Sequence, residues 1–580
     1  MLHKCDSRFW SKPCPIGSGL SFACSEPRRR LVRGTSTNGH ECDECIEVSI
    51  GSIINELSRP MLNGNKYSVQ LKSILELDPK WQVHYNATFS YTYCSPSSIR
   101  IPNNIRAVQK IVQEALKSHL KVKAFGSHHS TTDIICPPTG SIAIDSAHLN
   151  WIKINKKAKT VKVGAGTLEK NVIDALEAQG LSFPQTTTYG GITMGGATGT
   201  GAHGSSFKHA STFSEMLVGM TIVTGTGEIL TLKGKDLDDF RVHLGFLGVV
   251  VEVEFTVVPL YKVLVTAYPT DDAILYTPAF LQMAEATDSL VVTWIPRIKK
   301  LAIVNRTYVP VGTPGNGAAF GGGGAVFSVE QRVQESQIFD YFEVTRNQTA
   351  MCAVEEGYFY SIFSNVTSQG FPPAFIDNMG NFANPVVGFP RNVLTTTCQA
   401  PKCAFLAPTP ILTKELAFAI PARNLQLLLA IFDEIYKKYP SCFPLSGVLF
   451  RFAPPSRGLV AAEQGEPTIH FELLIHLVES NHDIASIQLE FFQALSKALY
   501  ANKKLKARPH WGKNGHEVRT ISYLQFSNVF RRKECWKYYT SPIEFSSNSS
   551  LTHAPPGIPI REPSRRLRAY APQTCTRRRS

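Results

Sequence analysis

The hydrophobic pattern of the chain predicts a folded body in which helices and strands alternate. Apolar residues recur at helical spacing in four segments, and runs rich in β-branched residues predict strands between them. The predicted helices are residues 105–120, 168–179, 425–438 and 484–499. The predicted strands are residues 98–101, 122–125, 141–145, 160–163, 215–223, 228–232, 244–258, 290–295, 301–309, 448–452 and 468–477. This mixture predicts the α+β fold class.

The same pattern divides the chain into four parts. Residues 1–91 show no sustained periodicity, so we predict a poorly ordered N-terminal extension there. A first folded domain is predicted over residues 92–260, with Asn103-Asn104 as the N-cap signal of its first helix. A second domain is predicted over residues 261–540. Residues 541–580 are rich in Ser, Pro and Arg and are predicted to be a disordered basic tail.

Residues 190–204 form a glycine-rich run with the sequence GGITMGGATGTGAHG. Its glycine density predicts neither an ordinary helix nor an ordinary strand. Glycine permits positive φ and close backbone approach, so consecutive N–H groups can converge on an anion such as a phosphate. A flexible linker is the alternative, but linkers are uniformly polar, whereas this run carries Ile192, Met194 and His203. The run therefore predicts a phosphate-binding segment.

A second turn, GSHHS at residues 126–130, follows the predicted strand 122–125. Its small and polar residues suit another close approach of backbone to ligand, so the two segments are predicted to bracket one site. The spacing GxGxxG occurs at residues 199–204, but it does not open a helix after the first strand, which argues against a Rossmann fold. The glycines at 321–324 predict a loop, with a phosphate site as the alternative.

Charge and hydropathy exclude two classes of partner. The net charge is +14, but a useful part of the excess lies at residues 561–579, and the body of the chain carries no nucleic-acid-binding motif. We therefore predict no nucleic-acid partner. The most apolar run, residues 244–258, is interrupted by Glu252 and Glu254, so no membrane span is predicted.

Cysteines and glycosylation signals bear on localisation. Cys42 and Cys45 form a lone CxxC pair, for which a local disulfide or free thiols are favoured over zinc. The N-x-S/T sequons favour a glycoprotein on the secretory route; they are Asn86, Asn305, Asn347, Asn365 and Asn548. The N-terminus shows no continuous apolar signal segment, so an organellar location is the alternative, as is a start that is not the natural one.

The two turns, together with HWGK at residues 510–513, resemble the FAD-linked oxidases of the vanillyl-alcohol oxidase type. Within that family the resemblance is to aldonolactone and alditol oxidases, particularly plant L-gulonolactone oxidase-like proteins, and it spans residues 94–539. It implies a two-part FAD-binding domain of the PCMH type followed by an α+β substrate or cap domain. FAD is the implied cofactor, with its pyrophosphate against both turns.

The resemblance also implies which residues contact FAD. A covalent bond to the flavin is implied for His129, whereas His128 stands where relatives usually have glycine. The implied cofactor-binding residues are Gly126, Ser127, His128, His129, Ser130, Gly195, Gly196, Gly199, Gly201, His203, Gly204 and Val250.

The implied reaction removes two hydrogens from a sugar lactone or polyol, with hydride passing to the flavin. The protein must then supply a base for the hydroxyl proton and a cation for the charge on the reduced ring. Arg451, His470 and Lys513 match the family pattern in order and are the predicted catalytic residues. Each also has a structural interpretation: a strand-edge charge, a core histidine, or one lysine of a basic stretch. No metal site is predicted.

One departure from the family pattern concerns the substrate. Leu449 stands two residues before Arg451, where many lactone-oxidising relatives have a glutamate that contacts substrate hydroxyls. We expect oxidation of an aldonolactone such as L-gulono-1,4-lactone, linked to ascorbate formation, with oxygen or another electron acceptor. The alternatives are a flavoprotein oxidising another sugar, polyol or alcohol, and an FAD-binding protein with little catalytic activity. No cysteine lies between Cys136 and Cys352, which argues against doubly linked flavoproteins.

Overall fold

The structure, a computed structural model, describes most of the predicted folded body. The described residues are 96–130, 140–319, 347–363, 374–395, 411–439, 447–478 and 487–513, together with 85, 86, 93, 94, 134, 137 and 138. The predictions for the Cys42–Cys45 pair, the glycines 321–324 and the tail 541–580 lie outside these residues, as does nearly all of the predicted N-terminal extension.

A small parallel sheet holds the first turn. Its strands lie in the order β3-β5-β4, and a short antiparallel pair, β1 with β2, precedes it. The Asn104 side chain accepts a hydrogen bond from the Ala107 N–H at 2.9 Å, which confirms the predicted N-cap of α1. Residues 126–130 leave the end of β4. The elements are β1 (Tyr85–Asn86), β2 (Tyr93–Cys94), β3 (Ser98–Arg100), α1 (Ile105–Lys117), β4 (Val122–Phe125) and β5 (Ile142–Asp145).

A five-stranded antiparallel sheet follows, in the order β10-β9-β11-β7-β6. Its core joins Val163 and Val253 of the sheet to helices α2 and α3 through Val172 and Met194. The elements are β6 (Ile152–Asn155), β7 (Thr160–Gly164), α2 (Glu169–Glu177), β8 (Leu181–Ser182), α3 (Met194–Thr200), α4 (Phe213–Met216), β9 (Leu217–Val223), β10 (Ile229–Lys233), the 3₁₀ helix Gly234–Phe240, β11 (Val249–Thr256) and β12 (Val258–Pro259).

The glycine-rich run contains a helix, so the prediction that it forms no ordinary helix is wrong. Residues 194–200 form α3, whose Met194 and Ala197 are buried in the core of the five-stranded sheet. This tertiary burial outweighs the low helix propensity of glycine. Gly195 lacks a side chain where a Cβ would lie 2.9 Å from the Ala165 Cβ, so the helix packs closely. Gly201 ends the helix in the left-handed conformation, with φ of 71°.

Two predicted strands are also longer than those observed. Residues 213–216 form helix α4 before β9 begins at Leu217, because Thr212 caps a short helical turn by accepting from the Glu215 N–H. Residues 244–248 form a loop before β11, since Leu244, Gly245 and Gly248 adopt positive φ. That loop lies beside α3, to which the Leu244 N–H is bound through the Gly199 carbonyl at 3.0 Å.

The second half is built on an eight-stranded antiparallel sheet in the order β18-β13-β15-β14-β20-β21-β19-β22. Strands β13 and β19 were not predicted from the sequence. The strands are β13 (Lys262–Asp271), β14 (Ser289–Ile295), β15 (Lys300–Val309), β16 (Ala318–Ala319), β17 (Phe375–Ile376), β18 (Val386–Gly388), β19 (Ile411–Pro421), β20 (Val448–Ala453), β21 (Thr468–Val478) and β22 (Arg508–Pro509). The helices are Asp272–Tyr276 and Ala422–Asn424 of 3₁₀ type, α5 (Ala279–Ala286), α6 (Gln348–Ser361), α7 (Pro390–Val393), α8 (Leu425–Tyr436) and α9 (Ile487–Ala501).

Side chains of β20 and β21 alternate between two environments, as the twofold period of a strand requires. One face joins the core cluster that contains helices α8 and α9, and its members are Val448, Phe450, Phe452, Ile469, Phe471 and Leu473. The other face carries Leu449, Arg451, His470 and Glu472. The large sheet thus has an apolar face for its helices and a polar face for a site.

The fold class is confirmed as α+β, with the chain passing from the five-stranded to the eight-stranded sheet between β12 and β13. Among the described residues, no helix combines the length and the apolar character that crossing a bilayer would need.

Candidate functional site

One cavity of about 470 Å³ brings together the motifs that the sequence singled out. It is lined by the first turn, by helix α3, by the loop before β11, by the polar face of the eight-stranded sheet and by the HWGK loop. Its volume is in the range of small-molecule and cofactor sites. The predicted residues in its lining are Gly126, Ser127, His128, His129, Ser130, Gly195, Gly196, Gly199, His203, Val250, Arg451 and Lys513.

The first turn packs directly on the N-cap of α3. A Cβ at Gly126 would lie 2.0 Å from the Thr193 Oγ1, so only glycine permits this contact. Similarly, a Cβ at Gly199 would lie 2.7 Å from the His243 ring. Gly126 therefore serves the packing of the first turn on α3, and Gly199 serves the packing of α3 on His243.

His128 adopts a conformation that glycine would adopt more readily. Its φ is 56°, in the left-handed region that is costly for a residue with a Cβ. This geometry gives a physical reason for glycine at the corresponding place in relatives. In this chain the turn keeps its shape with a histidine there, and the ring packs on Phe125 at 4.8 Å between centroids.

His129 lies in the cavity wall as a neutral imidazole at physiological pH. Burial lowers its pKa to about 4, and the positive charge of Lys513 lowers the pKa in the same direction. Its ring packs against Tyr189, with 4.4 Å between the ring centroids. A neutral ring nitrogen is the nucleophilic form that a covalent bond to a flavin would require.

A buried ion cluster closes the sheet side of the cavity. Arg451 binds Glu472 in a bidentate pair, from Nε to Oε1 at 2.9 Å and from Nη2 to Oε2 at 2.6 Å. Lys513 Nζ donates to the same Oε2 at 2.8 Å and lies 3.6 Å from Glu415. Burial alone would raise the pKa of Glu472, but the charges of Arg451 and Lys513 hold the pKa well below its usual range. Glu472 is therefore ionised in the cluster.

Hydrogen bonds that involve backbone groups fix the segments that carry these side chains. The Phe452 N–H donates to Ser205 Oγ and the Ser206 N–H to the Phe452 carbonyl, so the end of the glycine-rich run is fixed to β20. In the HWGK loop, the His510 N–H donates to the Ala417 carbonyl on β19, and Trp511 Nε1 donates to the Val460 carbonyl. Trp511 thus fixes the loop while Lys513 extends to Glu472.

His203 stands between the glycine-rich run and the ion cluster. Its Nδ1 lies 2.9 Å from the Gly204 carbonyl, which can only accept, so Nδ1 carries the proton and Nε2 presents a lone pair. Nε2 has no hydrogen-bond partner among the described residues and lies 3.7 Å from Glu472 Oε1. Burial and the charges of His470 and Arg451 hold the pKa of His203 well below its ordinary value, so the ring is neutral.

His470 is fully buried and does not belong to the cavity lining. Its ring stacks on the far side of His203, with 3.5 Å between the centroids, and its Nε2 lies 2.9 Å from Glu463. Its predicted catalytic role would therefore have to act through His203. Gly201 and Gly204 also lie outside the lining: Gly201 caps α3, and a Cβ at Gly204 would meet Gln185 at 2.5 Å.

The ligand atoms of His203, His470 and Glu472 lie within 4.8 Å of one another, a spacing that a metal ion could use. Both oxygens of Glu472, however, already bind Arg451 or Lys513. A further cation would have to displace one of these charges from a buried site. We therefore assign no metal to this trio.

The sequence interpretation missed several residues of the cavity. Glu472 gave no signal because an acid on an alternating strand is usually solvent-exposed. Lys123 lines the cavity, donates to the Leu244 carbonyl at 3.1 Å, and has its pKa lowered to about 8 by burial. His243 also lines it, with a pKa lowered to about 4 by burial. His243 directly precedes the loop 244–248, and the carbonyl that Lys123 binds belongs to Leu244 of that loop. The sequence pattern had assigned this loop to a strand.

Comparisons with known proteins agree with this geometry. The family model of the FAD binding domain matches residues 96–233. The mouse L-gulonolactone oxidase is 31% identical over 182 residues, which are 30% of this chain and 41% of the mouse protein. A probable L-gulonolactone oxidase 1 of Arabidopsis thaliana is 25% identical over 486 residues, covering 77% of each chain. The match thus spans about two fifths of the mouse relative and about three quarters of the plant one.

Among solved structures, a cholesterol oxidase from Brevibacterium sterolicum shares the fold, with a TM-score of 0.54, 16% identity, and coverage of 74% of this chain and 86% of that one. The cavity fits FAD: both turns approach it through residues with little or no side chain, and cationic groups lie in its wall. The predicted resemblance is thereby confirmed: residues 96–233 match the FAD binding domain, the chain is similar to L-gulonolactone oxidases, and it shares its fold with a solved cholesterol oxidase.

Proposed function

We propose that this protein oxidises an aldonolactone, such as L-gulono-1,4-lactone, with FAD as the hydride acceptor, and that it acts in ascorbate formation. The observation that carries the proposal is the convergence of the first turn, the glycine-rich run and Lys513 of HWGK on one cavity closed by the Arg451–Glu472–Lys513 cluster. The L-gulonolactone oxidase names of the relatives support the choice of a lactone.

Bound FAD would supply a two-electron acceptor that the side chains of the chain do not offer. The chain's own part is to hold charge and to move a proton. Arg451 and Lys513 provide positive charge in a buried setting, where charge stabilisation is stronger than in water. His203 lines the cavity and carries a lone pair on Nε2, so it is the residue that we propose to accept the proton of the substrate hydroxyl.

The test is the visible spectrum of the purified protein. We expect a yellow protein whose flavin absorbance bleaches anaerobically when L-gulono-1,4-lactone is added. Readmitting oxygen, or adding an artificial electron acceptor instead, then distinguishes an oxidase from a dehydrogenase by which of the two restores the colour. A protein that binds no added FAD, or a bound flavin that no lactone reduces, would overturn the proposal.

A covalent bond between His129 and the flavin is part of the same proposal. It is supported by the position of His129 in the cavity wall and by its neutral ring. After acid precipitation, we expect the yellow colour to stay with the protein pellet. The His129→Ala variant should release its flavin into the supernatant. Release from the unaltered protein would show that the cofactor is not covalently bound.

Leu449 favours a second candidate, oxidation of another sugar, polyol or alcohol. It lines the cavity beside Arg451 and cannot accept a hydrogen bond from a substrate hydroxyl. A panel of lactones, polyols and simple alcohols, compared by rate of flavin reduction, separates the two candidates. An FAD-binding protein with little catalysis would show a bound flavin that none of the panel reduces.

We also propose a secretory route, supported by the sequons. Asn347 is exposed, whereas Asn305 lies within strand β15 with its side-chain oxygen buried. Expression in a secreting eukaryotic cell should therefore give a glycan that a glycosidase removes. The size shift should become smaller in Asn347→Gln and stay the same in Asn305→Gln. Retention of an unglycosylated chain inside an organelle would favour the alternative location.

A further inference from the structure

We propose that Glu472 is the residue that selects the substrate of this site, by accepting a hydrogen bond from a hydroxyl of a neutral, polyhydroxylated compound. The inference rests on the proposed function and deepens it. Glu472 lines the cavity, is buried in its wall, and belongs to the polar face of the large sheet. It was not among the residues that the sequence patterns indicated.

The register of the sheet places apolar side chains, which cannot accept a hydrogen bond, opposite Glu472 on both neighbouring strands. Across the strands, Glu472 lies directly opposite Leu449 on β20 and opposite Ala417 on β19. Leu449 is in turn opposite Thr293 on β14, which also lines the cavity. In this row, Glu472 is the carboxylate, and the side chains on either side are apolar. A substrate hydroxyl above the row therefore meets one strong acceptor.

The hydrogen bonds of Glu472 leave one acceptor position available. A carboxylate offers about four lone pairs. Two are used by the bidentate pair with Arg451 and a third by Lys513 at Oε2. The fourth is on Oε1, where the nearest recorded group besides Arg451 is His203 Nε2 at 3.7 Å. Because that nitrogen presents a lone pair, it donates nothing to Oε1, and a donor from the cavity can fill the position.

The two acceptors at this position, Glu472 Oε1 and His203 Nε2, suit a pair of substrate hydroxyls. One hydroxyl can donate to Glu472 Oε1 while another gives its proton to His203 Nε2. Such a pair of donors occurs in compounds with hydroxyl groups on adjacent carbons. A simple alcohol has one hydroxyl and can satisfy only one of the two acceptors. The site therefore favours polyhydroxylated substrates over simple alcohols.

The charges of the cluster point to a neutral substrate. Arg451 and Lys513 are balanced by Glu472 and by Glu415, which lies 3.6 Å from Lys513. A carboxylate substrate, such as the aldonate formed when a lactone ring opens, would thus find no uncompensated cation within this cluster. It would also lie beside the charge of Glu472. The lactone is therefore preferred over its ring-opened acid.

The experiment compares a lactone with singly deoxygenated analogues of it, in the unaltered protein and in Glu472→Gln. In the unaltered protein, removal of the hydroxyl that binds Glu472 should lower kcat/KM by at least about tenfold, as expected for a hydrogen bond to a charged group. In Glu472→Gln, removal of the same hydroxyl should lower kcat/KM by less than about threefold. The rate with the aldonate, relative to the lactone, should rise in the variant.

Glu355→Gln is the matched control. Glu355 is a fully buried carboxylate paired with Arg297, and neither residue lines the cavity. The control makes the same chemical change in a buried ion pair and should leave the deoxygenation cost unchanged. If Glu472→Gln does not fold, Glu472→Asp keeps the charge and withdraws the carboxylate by one methylene. It should also reduce the deoxygenation cost.

Two results would overturn the inference. An unchanged deoxygenation cost in both Glu472 variants would show that the hydroxyl is bound elsewhere and that Glu472 acts only as a counterion. The inference would also fail if, in the unaltered protein, removal of each hydroxyl in turn lowered kcat/KM by less than about twofold. If lactones fail to reduce the flavin but a polyol succeeds, the proposed function fails, and the same comparison with deoxygenated polyols still tests Glu472. A flavin reduced by no hydroxylated compound overturns both.

Discussion

The two ends of the cavity are built on different principles. At the cofactor end, the wall comes from short contiguous segments, residues 126–130 and helix α3, that contact each other through glycine. At the substrate end, the wall comes from single residues on neighbouring strands and one loop, among them Leu449, Glu472 and Lys513. The first end can be identified from local sequence, whereas the second depends on how strands are paired.

This difference predicts that substitutions at the two ends will impair different properties of the protein. A change at the cofactor end should affect the amount of flavin bound. A change at the substrate end should leave the flavin in place and affect its reduction. Four substitutions, taken from the largest expected effect to the smallest, test the division.

The largest effect is expected at the substrate end, from Lys513→Met. Removing the half-buried positive charge of Lys513 from the cluster should lower the rate of flavin reduction by about 10²- to 10³-fold, as for other preorganised charge-stabilising groups. The flavin content should remain unchanged. Stopped-flow absorbance measures the rate. Lys504→Met changes an exposed lysine of the same basic stretch and should have no effect; equal effects in both variants would support the merely structural interpretation of Lys513.

At the cofactor end, Gly126→Ala should lower the flavin content about tenfold. The new Cβ would lie 2.0 Å from Thr193 Oγ1, so the first turn must move off α3, and overpacking of this kind costs about 1–3 kcal/mol. The ratio of flavin to protein absorbance measures the loss. Gly312→Ala is the control, since nothing lies within 4 Å of its Cβ position. Adding Thr193→Ala should restore part of the flavin, and no restoration would contradict the steric explanation.

A third prediction concerns Glu169, buried beneath the cofactor end and bonded to Thr187. Burial raises its pKa to about 8. The folded chain therefore keeps a proton that the unfolded chain loses, and stability should fall as pH rises from about 4.5 to 8, by at most about 1.4 kcal/mol per pH unit. Glu169→Gln mimics the protonated form, so its melting temperature should fall less between pH 6 and pH 8. Parallel curves for both proteins would contradict the prediction.

The smallest effect is expected from Gly201→Ala. Gly201 adopts a φ of 71° at the end of α3 and lies outside the cavity lining. Alanine in this conformation should cost about 1 kcal/mol of stability and lower the melting temperature by a few degrees. Flavin content and reduction rate should remain unchanged. A large loss of flavin would contradict the placement of Gly201 outside the cofactor site.

The sequence by itself determined the α+β class, the helices α1, α2, α8 and α9, and the identity of the cofactor, because these depend on local periodicity and on short motifs. The bounds of β4 and the N-cap at Asn104 were correct for this reason. The helix in residues 194–200 could not be predicted, because burial of Met194 and Ala197 by distant strands outweighs the propensity of glycine.

Tertiary structure alone decided which polar side chains meet at the substrate end. Arg451 and Lys513 were chosen from motifs, and the structure brings both to Glu472. His470 was chosen on the same grounds and lies on the same face of β21 as Glu472, yet the stacked ring of His203 separates it from the cavity. Glu472 could not be found from spacing, because its importance arises from lying across from Leu449, a relation fixed by strand register.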